Sequence, residues 1–367
     1  MNPRYQKRLR KIRKSVKSMD VSALLISNIK NVSYLTGFTG SAGYLLISPN
    51  SQVLLSDSRY LAQLQDECAE LDVDIRTAGS TMVDSVKRVA EDSKFNSLGF
   101  ESTSLTKHEF DQLSSMTPKI DWVPTVGLVE SARAIKDKIE IAAIRRSISL
   151  NQRAFEVIKH QLHPDQTERQ IAHNLEHQMR SFGAQGCAFD PIVGVGDRSA
   201  LPHGRPGNKK VGESPFLLID WGAEVDRYMS DLTRVVFTGK VPAKFRKIYE
   251  IVLQAQSAAI KKIRPGVELK SVDSAARRVI ESAGFGPNFG HGLGHGFGLE
   301  IHETPFISPI HEGKLFPGMV ITIEPGIYLP DFGGVRIEDD ILVTAEGCEV
   351  LSDLPREIEE CTVDVGR

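Results

Sequence analysis

The stretch LLIDWGAEVDRYMSDLTRVV, from Leu217 to Val236, contains two apolar strand-like segments that each carry an aspartate. An apolar run precedes Asp220, and Asp231 interrupts a run rich in β-forming residues. We therefore expect both carboxylates to be at least partly buried in a sheet. Buried carboxylates raise one another's pKa unless cations neutralise them. The stretch thus predicts a β-sheet whose acidic side chains face a cation.

The elements around this stretch follow an order that occurs twice. Two helices precede the strands CAFDPIVGVG, FLLIDWG and YMSDLTRVVFTG. Two more helices, predicted over about 242–262 and 268–283, precede GHGLGHGFGLEI, MVITIEPGIY and VRIEDDILV. Asp220 and Glu324 occupy corresponding strands of the two halves, as do Asp231 and Glu338. This order favours an internal duplication in which each half contributes two carboxylates.

The first helix pair is predicted from apolar periodicity and from a capping pattern. The segment SARAIKDKIEIAAIRRSISLNQRAFEVIKHQL begins a long helix with an apolar stripe that includes Ile144, Ile148 and Phe155. Asp165, with Glu168 three residues later, resembles a capping box. We expect it to start a second helix that ends near residue 182.

The residues before this helix pair form a separate predicted unit. Residues 1–19 are basic and could be a nucleic-acid tail, but Leu9, Ile12 and Val16 recur at helical spacing and favour a docked helix. Alternating apolar residues over about 22–57 predict strands separated by turns. Helices near 58–68, 81–92 and 106–114 and a strand near residue 98 complete an α/β domain that ends near residue 130.

Composition excludes several classes of protein. The chain has 367 residues, a formal net charge of -2 and 41% hydrophobic residues, so no global charge favours nucleic acid or membrane as a partner. Its four cysteines have neither zinc-knuckle spacing nor a disulfide pattern. No secretory signal and no apolar run long enough to cross a membrane is recognised. We expect a reduced, cytoplasmic protein.

The glycine-rich stretch GHGLGHGFGLEIHE, Gly290 to Glu303, adds histidines to the predicted site. His295 together with four carboxylates gives an oxygen-rich ligand set that suits Mn²⁺, Co²⁺ or Fe²⁺ and can also hold Zn²⁺. Two divalent cations and a hydroxide would nearly balance the four negative charges, and Arg336 could balance the remainder. Taken alone, each histidine is better explained as a hydrogen-bonding group in a loop.

Together these segments resemble the pita-bread metallopeptidases, the family that includes aminopeptidase P, prolidase and methionine aminopeptidase. LLIDWGAEVDRYMSDLTRVV resembles the two-aspartate hairpin of that family, and HGLGHGFGLEIHE resembles its metal-histidine motif. ITIEPGIY and VRIEDDILV resemble its two glutamate motifs. The resemblance implies that Asp220 holds one metal ion, that His295 and Glu324 hold another, and that Asp231 and Glu338 bridge both.

The same resemblance assigns neighbouring side chains to the substrate. ALPHG places His203 beside the substrate, EIHE places His302 at the reacting carbonyl, and His291 is expected near the leaving-group pocket. Glu324 is the candidate proton shuttle, with His302 and His203 as stabilisers of the oxyanion. Arg336 either binds the free carboxylate of a dipeptide or supports the metal carboxylates, and the sequence leaves both roles open.

The resemblance also covers the N-terminal part, through DVSALLISNIKNVSYLTGFTGSAGYLLI and DSRYLAQ. It implies an α/β (α+β) fold: a creatinase-like domain over residues 1–130 and a catalytic domain over residues 131–367 with a pseudo-two-fold duplication. The implied activity is that of an Xaa-Pro aminopeptidase with two divalent cations, Mn²⁺ being the first choice. Prolidase activity on Xaa-Pro dipeptides is the alternative. The resemblance further suggests a homodimer.

A non-enzymatic function is the remaining alternative. Some proteins that resemble this fold have lost their ligands and bind histones, RNA or receptors. The basic N-terminal helix is the one feature that favours such a module. The complete ligand set, from Asp220 to Glu338, favours a peptidase with proline-containing peptides as its partners.

Overall fold

The computed structural model describes residues 2–366. Residues 1 and 367, the outer limits of the two predicted domains, lie outside the described residues. The chain divides into two compact units, the first ending at Arg133 and the second beginning at Ala134. No helix in residues 2–366 has both the length and the hydropathy needed to cross a membrane.

The first unit is an α/β unit built on one six-stranded mixed sheet. Its strands are β1 (Ala23–Ile26), β2 (Tyr44–Ile47), β3 (Gln52–Asp57), β4 (Asp72–Arg76), β5 (Ser97–Glu101) and β6 (Asp121–Thr125), in the order β4-β3-β2-β1-β5-β6. Its helices are α1 (Pro3–Ser18), α2 (Ile29–Thr36), α3 (Leu61–Cys68), α4 (Met82–Asp92), α5 (Lys107–Met116) and α6 (Glu130–Arg133). The sequence did not predict β4 or β6, which are half exposed.

The basic N-terminal segment is a docked helix, as the apolar spacing predicted. The side chain of Asn2 accepts a hydrogen bond from the backbone N–H of Arg4, and proline occupies the first helical position, where no N–H is needed. Leu9, Ile12 and Val16 are buried on one face of α1. The cationic residues therefore lie mainly on the opposite, solvated face.

The prediction of strands over about 22–57 is wrong for residues 29–36, because this segment is helix α2. Asn28 caps its first turn by accepting a hydrogen bond from the backbone N–H of Lys30, and Gly37 ends it with φ of 87°. The buried face carries Asn31, whose amide bonds Glu101 and Glu130 at 2.6 Å each. These partners are distant in sequence. Local patterning therefore could not show that the polar groups of this segment are buried, and it assigned the segment to a strand.

The second unit contains two pairs of long helices. They are α7 (Lys138–His160), α8 (Glu168–Ser181), α9 (Ala243–Ile260) and α10 (Leu269–Ser282). Asp137 and Glu140 form a reciprocal capping box at the start of α7. The expected cap at Asp165 is wrong: Thr167 caps α8 with Gln170, and Asp165 instead pairs with Lys210 at the surface.

The strands of the second unit form several small antiparallel sheets. In the first half they are β7 (Gly186–Cys187), β8 (Ile192–Val195), β9 (Phe216–Trp221), β10 (Ala223–Val225), β11 (Tyr228–Met229) and β12 (Leu232–Phe237). In the second half they are β13 (Gly294–Gly296), β14 (Glu303–Ile307), β15 (Val320–Ile323), β16 (Gly326–Leu329), β17 (Gly333–Arg336), β18 (Asp339–Val343) and β19 (Cys348–Val350).

Each helix pair of the second unit shares a core with strands that follow it. Residues of α7 and α8 cluster with residues of β8, β9 and β12, which form the sheet β12-β9-β8. Residues of α9 and α10 cluster largely with strands of the sheet β14-β13-β15-β18-β19 and with β16 and β17. The order of two helices followed by strands therefore occurs twice, as the sequence predicted.

Candidate metal centre

Three carboxylates from both halves meet in the second unit. Asp220 lies on β9, Asp231 immediately precedes β12, and Glu338 immediately precedes β18. One oxygen from each of these side chains lies within 4.8 Å of the others. All three residues are buried, with at most 7% of their surface exposed. The sequence-predicted pairing of acids from the two halves thus produces one compact acidic cluster.

His295 and Glu324 extend this cluster on one side. The His295 Nε2 atom lies 3.4 Å from Glu324 Oε1 and 3.6 Å from Asp231 Oδ2. Glu324 follows the last residue of β15, and its Oε1 accepts a hydrogen bond from Thr322 at 3.2 Å. The five predicted ligands therefore lie in one continuous group, although the tight cluster itself contains only three of them.

The backbone of β13 fixes the position of His295. Its N–H donates to Thr322 Oγ1 at 3.1 Å, and its Nδ1 lies 3.1 Å from the carbonyl oxygen of Gly296. A proton on Nδ1 would satisfy that carbonyl and leave a lone pair on Nε2. Gly294 allows this approach, since a Cβ there would lie 2.1 Å from the carbonyl oxygen of Thr322.

Arg336 contacts four oxygen atoms in and beside the cluster. Its guanidinium contacts Asp220 Oδ2 directly, donates to Thr233 Oγ1 at 3.0 Å and donates to the Tyr328 hydroxyl at 2.7 Å. It also donates to the carbonyl oxygen of Pro202 at 3.4 Å. Because Arg336 is only 3% exposed, its donors are directed at the protein itself. This geometry favours support of the carboxylates over binding of a dipeptide carboxylate.

Thr233 links this arginine to the acidic cluster. Its hydroxyl donates to Glu338 Oε2 at 2.6 Å while accepting from Arg336. Asp340 lies behind the cluster and accepts a hydrogen bond from the backbone N–H of Asp231 at 3.3 Å. Neither Thr233 nor Asp340 was singled out from the sequence as a separate site residue, because their partners are more than a hundred residues away.

Burial and mutual repulsion dominate the electrostatics of the site. Burial raises the pKa of Asp231 well above its ordinary value, and the charges of Glu338 and Asp220 raise it further. Burial likewise raises the pKa of Glu338, with Glu324 and Asp220 adding to the effect. Burial raises the pKa of Glu324 to about 8. The acids therefore resist ionisation together unless positive charge is supplied.

The donor set fits divalent cations. Burial lowers the pKa of His295 to about 3, so its imidazole is neutral and can offer a lone pair. That lone pair faces carboxylate oxygens of Glu324 and Asp231, an arrangement that a cation between them would stabilise. Asp220 Oδ1 is buried without a hydrogen-bond partner. Carboxylates and imidazole are the ligands expected for Mn²⁺, Fe²⁺, Co²⁺ or Zn²⁺.

A cavity of about 620 Å³ opens onto these ligands. All five predicted ligands line it, together with His203, His291, His302 and Arg336. His203 and His302 are exposed within it, and the His302 ring lies 4.4 Å from the His295 ring, centroid to centroid. The residues predicted for metal and for substrate therefore share one cavity.

Two of the other lining histidines differ in how they are held. His291 Nε2 lies 3.0 Å from the Tyr328 hydroxyl, and burial lowers the pKa of His291 to about 4. His311, which matched no sequence motif, also lines the cavity and lies 2.6 Å from Ser308 Oγ. Only the structure identifies His311 as a residue of the cavity, since nothing in the sequence around it resembles a site.

Metal removal should make the stability of the protein depend on pH. A carboxyl group with a higher pKa in the folded than in the unfolded protein makes the folded state bind more protons. Stability is then lost as pH rises from the unfolded value of about 4.3 through the folded value, here about 8 for Glu324. We expect the melting temperature of chelator-treated protein to fall by several degrees between pH 5.5 and pH 8.

The control for this prediction is the same protein with saturating Mn²⁺. Bound cations compete with protons for the carboxylates, so the decline over this pH interval should largely disappear. Differential scanning calorimetry at both pH values measures the effect. A decline of equal size with and without Mn²⁺ would show that groups outside the cluster cause it.

Two family models match the chain. The model of metallopeptidase family M24 matches residues 142–345, and the model of the creatinase/prolidase N-terminal domain matches residues 8–135. The first match contains every predicted metal ligand. The second match lies almost entirely within the first unit.

Individual proteins match over nearly the whole chain. An Xaa-Pro dipeptidase from Pyrococcus horikoshii is 38% identical over 95% of this chain and 98% of its own. The structure of an Xaa-Pro dipeptidase from Bacillus anthracis has a TM-score of 0.91 at 36% identity, covering 96% of this chain and 99% of that one. The structure of an X-Pro aminopeptidase from Thermotoga maritima has a TM-score of 0.85 at 39% identity, covering 94% and 99% respectively.

Proposed function

We propose that this chain, which belongs to metallopeptidase family M24 and is a metallo-exopeptidase, hydrolyses the N-terminal Xaa-Pro bond of peptides with two divalent cations. The observation that carries the proposal is the buried group of carboxylates with His295 at one cavity. A binding module would have no need for ionisable groups held at this energetic cost. The complete group therefore supports catalysis.

The predicted ligands divide between two cation positions. Asp220 would hold one cation, His295 and Glu324 would hold the other, and Asp231 and Glu338 would contact both. When bound, divalent cations supply Lewis-acid activation of a water molecule and of the substrate carbonyl. Mn²⁺ is our first choice, and Co²⁺, Zn²⁺ and Fe²⁺ are compatible with the same donors.

The remaining chemistry belongs to side chains of the cavity. Glu324 lies at the cavity, where we assign its carboxylate to accept the proton of the attacking water and return it to the leaving nitrogen. Burial lowers the pKa of His302, so at neutral pH its imidazole can donate one hydrogen bond without carrying a charge. We assign His302, together with His203, to the carbonyl oxygen that becomes negatively charged during hydrolysis.

Proline specificity would depend on the apolar part of the cavity. Phe189, Ile192, Ile301 and Phe306 line it beside the histidines. A peptide bond to proline has no N–H, so this side of the cavity needs no hydrogen-bond acceptor for the leaving nitrogen. Apolar walls can then select the shape of the ring, while the cation end of the site receives the free amine near Asp220.

Peptides longer than two residues are the proposed substrates. A dipeptide places its carboxylate directly after the proline, where a free cationic group would be required. Arg336 is committed to Asp220, Thr233 and Tyr328. Prolidase activity remains the second candidate, because Arg205 also lines the cavity and because several relatives are Xaa-Pro dipeptidases.

The decisive experiment supplies Mn²⁺, Co²⁺ or Zn²⁺ to metal-stripped protein and compares three peptide types. Xaa-Pro-Yaa should be cleaved faster than Xaa-Pro, and Xaa-Ala-Yaa should be cleaved least. Faster cleavage of Xaa-Pro than of Xaa-Pro-Yaa would instead indicate prolidase activity. Cleavage of Xaa-Ala-Yaa as fast as Xaa-Pro-Yaa would contradict selection for proline. No turnover with any of the three metals would contradict the proposed peptidase activity.

Replacing His302 by alanine is expected to lower kcat by about 10²–10³-fold, the usual effect of removing one oxyanion donor. Because His302 is exposed in the cavity and is not among the proposed ligands, its loss should leave the metal content unchanged. Steady-state kinetics and metal analysis of the same preparation test both statements. His177→Ala, which changes an exposed histidine of α8, is the matched control and should behave as the wild type. Metal loss in His302→Ala would instead make His302 a ligand.

We also propose a homodimer located in the cytoplasm. The four cysteines are free, which suits a reducing compartment. Light scattering of the purified protein at several concentrations tests the oligomeric state. A concentration-independent monomer mass would contradict the dimer.

A further inference from the structure

Both predicted glutamate ligands lie where a strand is interrupted. Glu324 follows the end of β15 at Ile323, and Glu338 stands between Ile337 and the start of β18. Their backbone N–H groups donate to different partners, the carbonyl oxygens of Leu293 at 2.9 Å and of Thr233 at 3.3 Å. The pairing of β15 with β18 ends at Ile323 opposite Asp339, so the two glutamates lie one residue beyond the last pair of the ladder, and these two bonds hold each of them to a different neighbour.

One side chain of α9, that of Gln256, contacts the backbone directly before both glutamates. Gln256 Nε2 lies 3.3 Å from the carbonyl oxygen of Ile323 and 3.2 Å from that of Ile337, the residues directly before the two glutamates. It also lies 2.9 Å from Asp339 Oδ2, directly after Glu338. All three neighbours are acceptors, so the amide nitrogen must face them. Gln256 is fully buried.

The oxygen end of the Gln256 amide indicates that this residue is not present for packing. Gln256 Oε1 is buried without a hydrogen-bond partner. A buried polar atom without a partner is destabilising, and methionine or leucine at this position would avoid that penalty. The favourable contribution of Gln256 must therefore come from its donor end, where it connects the two glutamate-bearing segments.

We propose that Gln256 is a positioning residue that sets the separation of Glu324 and Glu338 and thereby the affinity of the site for divalent cations. The inference rests on the proposed function only in taking these glutamates as ligands. Side chains behind metal ligands commonly change metal affinity without contacting the metal. Gln256 differs from an ordinary partner of this kind because it acts on the backbone of two ligands at once.

The test is Gln256→Met, which keeps the volume and removes the donor. Titration of metal-stripped protein with Mn²⁺ in a calorimeter should show an affinity lower by about 10–100-fold, as for other losses behind metal ligands. The kcat at saturating Mn²⁺ should change much less than the concentration of Mn²⁺ required for half-maximal activity. If this variant does not fold, Gln256→Asn keeps the amide but shortens its reach and should weaken Mn²⁺ binding in the same way.

The matched control is Val272→Ala on α10, a fully buried residue of the same core. It should lower the melting temperature while leaving the Mn²⁺ affinity unchanged. Equal Mn²⁺ affinity in wild type and both Gln256 variants would overturn the inference while leaving the proposed function intact. An equal loss of affinity in Val272→Ala would assign the effect to general destabilisation and would also overturn it. Failure of the wild type itself to bind Mn²⁺ would instead contradict the proposed function.

Discussion

Asp231→Asn is expected to reduce peptidase activity by about 10³-fold or more, because it removes a ligand of the cations that would activate the water and the substrate carbonyl. Asp231 lies within reach of Asp220 and Glu338 and also of His295. Asparagine has nearly the same shape but cannot neutralise a cation. Metal content should therefore fall together with kcat, as inductively coupled plasma mass spectrometry would show.

The same substitution should stabilise the metal-free protein. Burial and the charges of Glu338 and Asp220 raise the pKa of Asp231 well above its ordinary value, so ionisation of this residue opposes folding. Removing the ionisable group should raise the melting temperature of chelator-treated protein at pH 8, where the repulsion is greatest. The prediction thus has opposite signs: Asp231→Asn makes metal-free protein more stable and the protein in Mn²⁺ less stable than the wild type.

Asp226→Asn is the control within the same stretch of sequence. Asp226 pairs with Arg146, and the side chains of both residues are more than half exposed, so the pair contributes little to stability. This variant should keep its metal and its activity. If Asp231→Asn also kept two equivalents of Mn²⁺ and wild-type kcat, Asp231 would not be a ligand.

Local patterns in the sequence predicted the elements that bury one clear face. The apolar spacing of Leu9, Ile12 and Val16 identified α1, and periodicity likewise located α7, α9 and α10. The same approach failed at α2, where Asn31 is buried against Glu101, 70 residues away. A buried polar face has no apolar period, so hydrophobic periodicity could not distinguish it. The signals that were present, Asn28 before the helix and Gly37 after it, are capping residues.

The candidate site was predictable as far as its motifs extend. Asp220, Asp231 and Glu338 stand in recognisable stretches, and the structure brings them together. The groups that hold those stretches in place were not predictable. Thr233 and Gln256 act through hydrogen bonds to residues 105 and 67 or more positions away, and such bonds leave no periodic trace. The residue types of metal ligands are constrained by coordination chemistry, which is visible as a sequence motif. The residues that support those ligands are constrained by three-dimensional packing, which is not.

Arg234 is the support with the largest expected effect on stability. It lies on β12, is 1% exposed at its side chain, and pairs with the fully buried Asp339 at 2.7 Å. Its guanidinium also donates to the carbonyl oxygens of Glu338, Leu354 and Pro355. One side chain therefore ties β12 to the glutamate-bearing segment of the other half and to the chain beyond β19.

Arg234→Met is expected to lower the free energy of unfolding by about 3–5 kcal/mol, because it leaves a buried carboxylate without its main partner. Arg356 and Ser352 still contact Asp339 at 2.8 and 2.6 Å, so the loss should be large without being complete. Arg234→Lys should recover only part of it, since an ammonium cannot reproduce the planar array of donors. Urea unfolding of metal-stripped protein measures these differences apart from any change in metal binding.

Arg145→Met provides the comparison that separates burial from pairing. Arg145 pairs with Glu349 at 2.6 Å, as short a contact as that of Arg234, but both side chains are more than 40% exposed. Its loss should cost about 0–1 kcal/mol, since water already solvates both charges. Equal losses in Arg145→Met and Arg234→Met would contradict the role assigned to burial. A small loss in Arg234→Met alone would mean that Arg356 can replace Arg234 as the partner of Asp339.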